Sequence, residues 1–374
     1  MIQPLPFIRR TLALRPMPAP WWFAALLTAV LLLAARPVVD RFDLAAHDLL
    51  NRDVIAPLSG PQAPAESIVV AIDDASLQAL GRWPWPRQRH AELIDVLRNA
   101  GTQAVGYNVL FAEPAADPAE DDRLAQAIAA HGQIVLPVMP ESRQADGRTT
   151  VLQPLAALGK AAAALGHAEA PIDLDGQVRR VAMVAGSGST AWEAMPLAVQ
   201  RVSASRAGAL AGVDLQRHAL EPWWQEQLQL LPAGHSPITQ VSASELLRDP
   251  SLVTLLTGRV VWVGLTAHGI DSAIHVPGAR GSTPLSAVQW QAQMHQAMDR
   301  NRVANIAGAP VVLAANVLPL VIAALFGRWT MRSLRVKLTV MLWLLPLPLL
   351  VQTAVLVWGH LWLPMGAMTL GCAI

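Results

Sequence analysis

A chain of 374 residues with 53% apolar and only 15% charged side chains, and a mean hydropathy of +0.35, is too greasy for one ordinary soluble domain, so part of it belongs in a membrane. All 27 acidic residues lie between Asp40 and Asp299, whereas eight of the 28 basic ones (Arg9, Arg10, Arg15, Arg36, Arg328, Arg332, Arg335 and Lys337) lie outside residues 40–302, leaving 20 bases against 27 acids inside. That balance excludes a basic stripe for nucleic acid, and the single cysteine, Cys372, excludes a disulfide and a cysteine-based zinc site.

The first apolar run, Trp21 to Ala35, follows three arginines and precedes Arg36, and it reads as an uncleaved membrane anchor over 21–39, with residues 1–20 in the cytoplasm. Ser67 to Ile72 is a β-branched run expected as a buried strand. Arg87 to Ala100 then carries Ala91, Ile94 and Leu97 on one helical face, and Gly101 stops it. Gln103 to Val109 and Gln133 to Val138 read as further strands around a helix at Pro118 to Ala130. Alternation on this spacing predicts an α/β domain with a mostly parallel central sheet over 40–302. Farther on, the pattern suggests a strand at Gln177 to Ala185, a helix at Trp192 to Ser203 and an apolar strand at Val260 to Leu265. A last helix, Val288 to Arg302, is expected to run directly into the next span.

Three more apolar runs follow, at 303–327, 338–358 and 361–374. The basic loop 328–337 between the first two is cytoplasmic by the positive-inside rule, which agrees with a cytoplasmic amino terminus and puts 40–302 outside. Gly359 and His360 then form an outer hairpin, and Pro346 and Pro348 should kink the run before it. The final run offers about 14 residues, short of the roughly 20 of a span, and a cytoplasmic domain is its natural continuation.

Seven residues stand out as ligand-binding candidates: Asp73, Asp74, Trp83, Trp85, Arg87, Asn108 and Glu113. Asp73 and Asp74 end the first strand, at the edge where open α/β sheets place ligands; they could hold a cation or move a proton, or simply cap the next turn. In the Gly81 to Arg87 segment (GRWPWPR), Trp83 and Trp85 could offer indole faces beside Arg87, or plug the sheet end while Pro86 starts the helix. Asn108 and Glu113 follow the second strand, and Asp74, Asn108 and Glu113 are expected to converge. The segment His167 to Arg180 holds Asp173, Asp175 and Arg179 around an Asp-Gly turn that departs from a calcium-loop spacing. No histidine or cysteine spacing suits a metal, no cofactor motif occurs, and no catalytic constellation is visible.

Together these segments resemble the CHASE type-2 domain, an extracytoplasmic sensory module of bacterial histidine kinases, adenylate cyclases and diguanylate cyclases. IVVAIDDASLQALGRWPWPRQRHAELIDVL, AVGYNVLFAEP, ALGHAEAPIDLDGQVRR, VVWVGLTAHGIDS and PLSAVQWQAQM carry the resemblance. Asn108 stands where the family usually has an aspartate, and Ala287, Gln289 and Gln291 interrupt a usual G-V-E-I-H-A pattern. The resemblance implies a sensor in the bacterial inner membrane, anchored by one span before and three after, that passes a small-molecule or envelope signal to a cytoplasmic kinase or cyclase, without enzyme activity of its own. It also implies a homodimer, although no sustained heptad seam is legible. A periplasm-facing hydrolase and a non-sensing envelope interaction protein are the alternatives.

Overall fold

The computed structural model describes residues 36–55, 67–140, 150–204, 213–216, 218, 221, 223–230, 238–271, 273–278, 281–317 and 347–365. The run Trp21 to Ala35, the loop 328–337 and Cys372 lie outside the described residues. In chain order come α1 (Arg36–Leu50), a π-helical turn (Asn51–Ile55), β1 (Ser67–Ile72), α2 (Asp74–Leu80), α3 (Arg87–Asn99), β2 (Ala104–Asn108), α4 (Pro118–His131), β3 (Ile134–Pro140), β4 (Val151–Leu152), α5 (Ala156–Ala161) and β5 (Ala164–His167). These are followed by β6 (Arg180–Ser187), β7 (Thr190–Ala194), α6 (Met195–Ala204), β8 (Trp224–Leu230), β9 (Thr239–Ser242), α7 (Ala243–Arg248), a 3-10 turn (Pro250–Leu256) and β10 (Val260–Leu265). The chain then forms β11 (Ile274–Gly278), β12 (Gly281–Leu285), α8 (Ala287–Asp299), β13 (Ala304–Ile306), α9 (Leu347–Gly359) and β14 (Leu361–Trp362).

Among the described residues, one large sheet has the order β14-β13-β8-β6-β7-β5-β3-β2-β10-β1-β9, with β4 beside β3, while β11 and β12 form a separate hairpin. From β9 to β7 every neighbouring pair is parallel, and β7, β6, β8 and β13 run antiparallel. A parallel sheet must be covered on both faces, and this one is. Ile68, Val70 and Ile72 of β1 join Leu93, Ile94 and Leu97 of α3, Leu124 and Ile128 of α4 and Leu246 of α7 on one face. Val69 and Ala71 join Met195 and Val199 of α6 and Val288 and Ala292 of α8 on the other. Side chains of period two thus feed two separate cores, and each fully buried Ile or Leu contributes roughly 1.5–3 kcal/mol. Small residues set how closely the second layer approaches: a Cβ on Gly264 would sit 2.7 Å from Val288 Cβ, and one on Gly166 would sit 2.6 Å from Met195 Cα.

Local signals explain the boundaries. Asp117 accepts from Ala119 N at the start of α4, Pro118 takes the first helical position, and Gly132 closes it at φ 76, the conformation that favours glycine after a helix. Ser286 and Gln289 form a reciprocal capping box on α8, so Gln289 performs at the third helical position what a glutamate would.

Three expectations change. Trp192 belongs to β7 and not to a helix, because it lies in a strand paired with β6 through Ala185. The helix expected to enter the second apolar run stops at Asp299, since Asn301 adopts φ 51 and Ala304–Ile306 becomes a strand between β8 and β14; helix resumes only at 309–317. Leu361–Trp362, which hydropathy assigns to the last span, likewise joins the sheet as β14, because the backbone of β13 offers it a parallel partner. Pro348 lies in α9 at the margin of the described residues, and Pro346, with which it was expected to kink the run, lies outside them. Among the described residues, no helix is long and apolar enough to cross a membrane.

Candidate functional site

The carboxyl edge of the parallel strands gathers most of the residues that the sequence singles out. Asp73 follows β1 and caps α2: its Oδ1 accepts from Ser76 N at 2.8 Å and from the Ser242 hydroxyl at 2.9 Å. Ser242 is also 2.9 Å from the Ser76 hydroxyl and 3.0 Å from that of Ser244. A small buried hydroxyl network therefore ties the starts of α2 and α7 together, and Asp73 serves it. Replacing Asp73 by Ala is expected to lower stability by about 1–2 kcal/mol, the usual cost of a lost cap, while Asn, which still accepts, should cost less; chemical-denaturant midpoints read the difference.

Asp74 points the other way. Its carboxylate lies 2.7 Å from His268 Nδ1 and accepts from His268 N at 3.3 Å, on a surface where the His268 side chain is 96% exposed. Among the described residues, no hydroxyl or thiol meets the other ring nitrogen, so this pair lacks the nucleophile that a hydrolytic triad needs. Asn108 ends β2, but β10 lies between β2 and β1, which puts two strand spacings, roughly 10 Å, between Asn108 and the end of β1. The expected convergence of Asp74, Asn108 and Glu113 is therefore interrupted by a strand from much later in the chain. Neither the Asn108 amide nor the exposed Glu113 carboxylate has a partner among the described residues.

The GRWPWPR segment packs inward. Trp85 is 2% exposed and donates its indole N–H to Gly81 O at 2.9 Å; Trp83 is partly buried against the same core. His90 sits between them and Phe111, with ring centroids 5.9 Å from Trp85 and 5.0 Å from Phe111, and its Nδ1 lies 2.7 Å from the Tyr107 hydroxyl. Burial, with the nearby Arg87 charge, pushes the His90 imidazole down to about 3, and burial drives the Tyr107 hydroxyl upward. Arg87 is engaged on every side: Nε on Asp121 at 3.0 Å, Nη2 on the Glu113 carbonyl at 2.6 Å and the guanidinium 4.7 Å over Phe111. Its fork closes the end of the sheet and is spoken for by protein groups.

A second polar centre was only half legible. Arg179, 3% exposed, donates to both oxygens of Asp48 at 2.9 and 2.8 Å, to both oxygens of Asp175 at 2.9 and 2.7 Å, and to Asp173 at 3.1 Å. Arg180 also pairs with Asp173. The Asp-Gly turn expected at 173–176 is present, with Gly176 N donating to Asp173 O. What the motif did not disclose is Asp48, which arrives from α1, 131 positions earlier. Beside it, buried His47 packs edge-on to Trp362 of β14 at 4.7 Å, and Leu50, Ala304, Leu356 and Trp362 form one small core. Burial alone would discourage the Arg179 charge, but the Asp48 and Asp175 carboxylates raise its pKa beyond the usual arginine range. Among the described residues, no group of three or more His, Cys, Asp or Glu side chains could hold a metal ion.

These features define a three-layer α/β domain whose sheet edge is finished by caps and ion pairs and at whose far end α1, β13, α9 and β14 share one small apolar cluster. The sequence matches the family described as CHASE2 domain over residues 24–329, and the chain belongs to that family of extracytoplasmic sensory domains. No curated protein and no solved structure matches it.

Proposed function

We propose that the chain is a membrane-anchored receptor input module. Its α/β domain lies outside the cytoplasmic membrane, receives a small-molecule or envelope signal, and passes a change through the apolar runs to a cytoplasmic kinase or cyclase. The observation that carries this reading is the far end of the sheet: β13 lies at the start of the second apolar run, β14 at the start of the fourth, and α1 comes after the apolar stretch of the first, yet all three meet in one packed cluster. A movement of the sheet would there reach every flanking segment at once. The same cluster supports an outer position for Gly359 and His360, because β14, immediately after them, pairs with the domain.

Signal reception fits the carboxyl edge between β10 and β2, where Asn108 and Glu113 keep uncommitted polar groups, with Asp74 on the neighbouring rim; Asp73, Trp85 and Arg87 shape that edge from behind. Binding shifts a signalling equilibrium only through a difference in affinity between two states.

A chimera joining residues 1–374 to a cyclase catalytic domain tests the reading in cells lacking their own cyclase. Trp362→Ala, which loosens the junction without touching the receiving edge, is expected to change cyclase output at equal protein level. Output indifferent to that substitution, or a His360→Cys variant (with Cys372→Ser) that a membrane-impermeant maleimide fails to label in intact cells, would overturn it.

A further inference from the structure

The α8 face of the carboxyl edge gathers polar groups that lack partners among the described residues. Along β2, Ala104 packs into the core beneath α6 and α8, a Cβ on Gly106 would meet the Trp262 ring of that core at 2.4 Å, and Tyr107 packs into the opposite core. Side-chain alternation therefore puts Asn108, which is partly buried, on the α8 face. Asn108 is paired with Gly264 of β10, the residue against which Val288 of α8 rests. One turn on, about 4.5 Å along the helix axis, Gln291 is 1% exposed and donates Nε2 to Ala168 O at 3.3 Å. Ala168 follows β5, and β2 and β3 lie between β5 and β10, so this side chain reaches across the end of β2 where Asn108 stands. Its Oε1 is buried without a partner among the described residues, and so is Oγ1 of Thr266, two residues beyond Gly264, where the ladder continues with Thr266 N donating to Ile72 O. Buried polar atoms of this kind are exceptions that call for an explanation.

We propose that Asn108, Gln291 and Thr266 receive a primary carboxamide, which names the class of signal for the receiving edge and rests on the receptor reading above. The bond to Ala168 O fixes the Gln291 amide, since turning it would set two carbonyl oxygens face to face, so Oε1 accepts and cannot donate. A carboxamide satisfies all three groups. Its carbonyl accepts from Asn108 Nδ2 and the Thr266 hydroxyl, while its two N–H groups donate to Asn108 Oδ1 and Gln291 Oε1. A carboxylate of the same shape offers acceptors only and would face Gln291 Oε1. An ammonium leaves Asn108 Nδ2 without an acceptor and needs a counter-charge. The carboxylates around the edge are turned elsewhere: Asp74 to His268, Asp271 to Ala287 N, and Glu169 to Trp223 and Gln225. A site whose buried polar groups are left unpaired by the wrong ligand rejects that ligand steeply. Met139, on the same face as Val135 by alternation and 40% exposed, offers an apolar contact to the rest of the molecule.

Three probes of one shape, benzamide, benzoate and benzylammonium, test this by saturation-transfer NMR titration of the full-length chain in lipid nanodiscs, with empty nanodiscs as the blank. Benzamide is expected to bind saturably and at least tenfold more tightly than the other two. Gln291→Met, which keeps the reach of the side chain and removes its oxygen, and Asn108→Leu, at the partly buried strand end, should each weaken benzamide at least fivefold. Tryptophan fluorescence reads whether each variant folds, and Asn108→Leu carries the test alone where Gln291→Met does not. Benzoate bound as tightly as benzamide, benzamide binding that no folded variant weakens, or no saturable benzamide binding would overturn the site. The cyclase chimera separates the two readings. Benzamide that binds here without changing cyclase output defeats signal reception at this edge and leaves the site, whereas no benzamide binding by a chimera whose output still responds to Trp362→Ala defeats the site alone.

Discussion

Lowering the pH from 7 to 4 is expected to remove about 6 kcal/mol of folding stability, roughly 3 kcal/mol from each of two buried histidines. His90 and His167 are both 1% exposed. Burial pushes the first to about 3, and pushes the second to about 4 against a partial restoring bond between its Nε2 and Ala182 O. The unfolded chain takes up protons on these imidazoles near pH 6.5, whereas the folded one does so only far below, so between those values the unfolded state binds more protons and stability falls as pH falls. Their stabilising effect is complete above about pH 6.5 and is lost downward through the folded values. Six kcal/mol is comparable with the whole stability of an ordinary domain, so acid unfolding should begin well above the carboxylate range. Denaturant midpoints of the detergent-solubilised protein, followed by tryptophan fluorescence at intervals from pH 7 to 4, measure the slope. His90→Gln and His167→Gln, uncharged throughout, should each remove about half of it; a slope unchanged in both variants would mean that the imidazoles are protonated in the folded state.

Much of the parallel half was legible, because its strands follow one another with a helix between. Ser67 to Ile72 was read to the residue, and β2 and β3 within two. Each is a short β-branched or apolar run bounded by a capped helix, and these local signals need no partner to be recognised. The sheet order was not legible. β10 enters between β1 and β2 from 150 positions downstream, and no local pattern in Val260 to Leu265 states which neighbours it will take. That single insertion explains why Asn108 does not stand beside Asp74. Asp73, Asp74 and Asn108 do stand at the carboxyl ends of their strands, but one strand farther apart than the sequence suggested. For Trp83 and Trp85, the plug was the better of the two alternatives. The alternation with proline that could display indoles instead turns Trp85 back onto Gly81 O, and the helix face behind it includes buried His90, which hydropathy alone discounts. At the far end, hydropathy misplaced β13 and β14: strands of three and two residues beside apolar runs carry no period of their own, and only the pairing of one with the other separates them from a span.

Replacing Arg179 by Ala is expected to cost about 3–5 kcal/mol, as removing one partner of a buried ion pair does, and to release α1 from the domain. The Asp173 side chain would keep only Arg180, and Asp48 would lose both of its donors from Arg179. Arg179→Lys retains the charge but cannot grip Asp48 and Asp175 with paired hydrogen bonds, and it should fall between. Asp48→Asn, which removes the charge but can still accept, isolates the contribution of α1. Amide exchange at 43–50 should rise in Arg179→Ala and Asp48→Asn while exchange in β1 and β10 stays slow; fast exchange throughout would mark simple unfolding, and none in either would show that α1 is held by its apolar contacts alone. The outcome bears on the route of the signal. The direct path along α8 is closed, since that helix ends at Asp299 and turns into β13. Among the described residues, the remaining connections are the β13–β14 pair, the packing of His47 and Leu50 against Trp362 and Ala304, and the Arg179 clasp on Asp48, which adds a polar tie to the helix that leads back to the first apolar run. Weakening the clasp should therefore loosen the coupling of the sensor to the amino-terminal segment, leaving it to the His47 and Leu50 contacts, while the carboxyl-terminal strands stay paired.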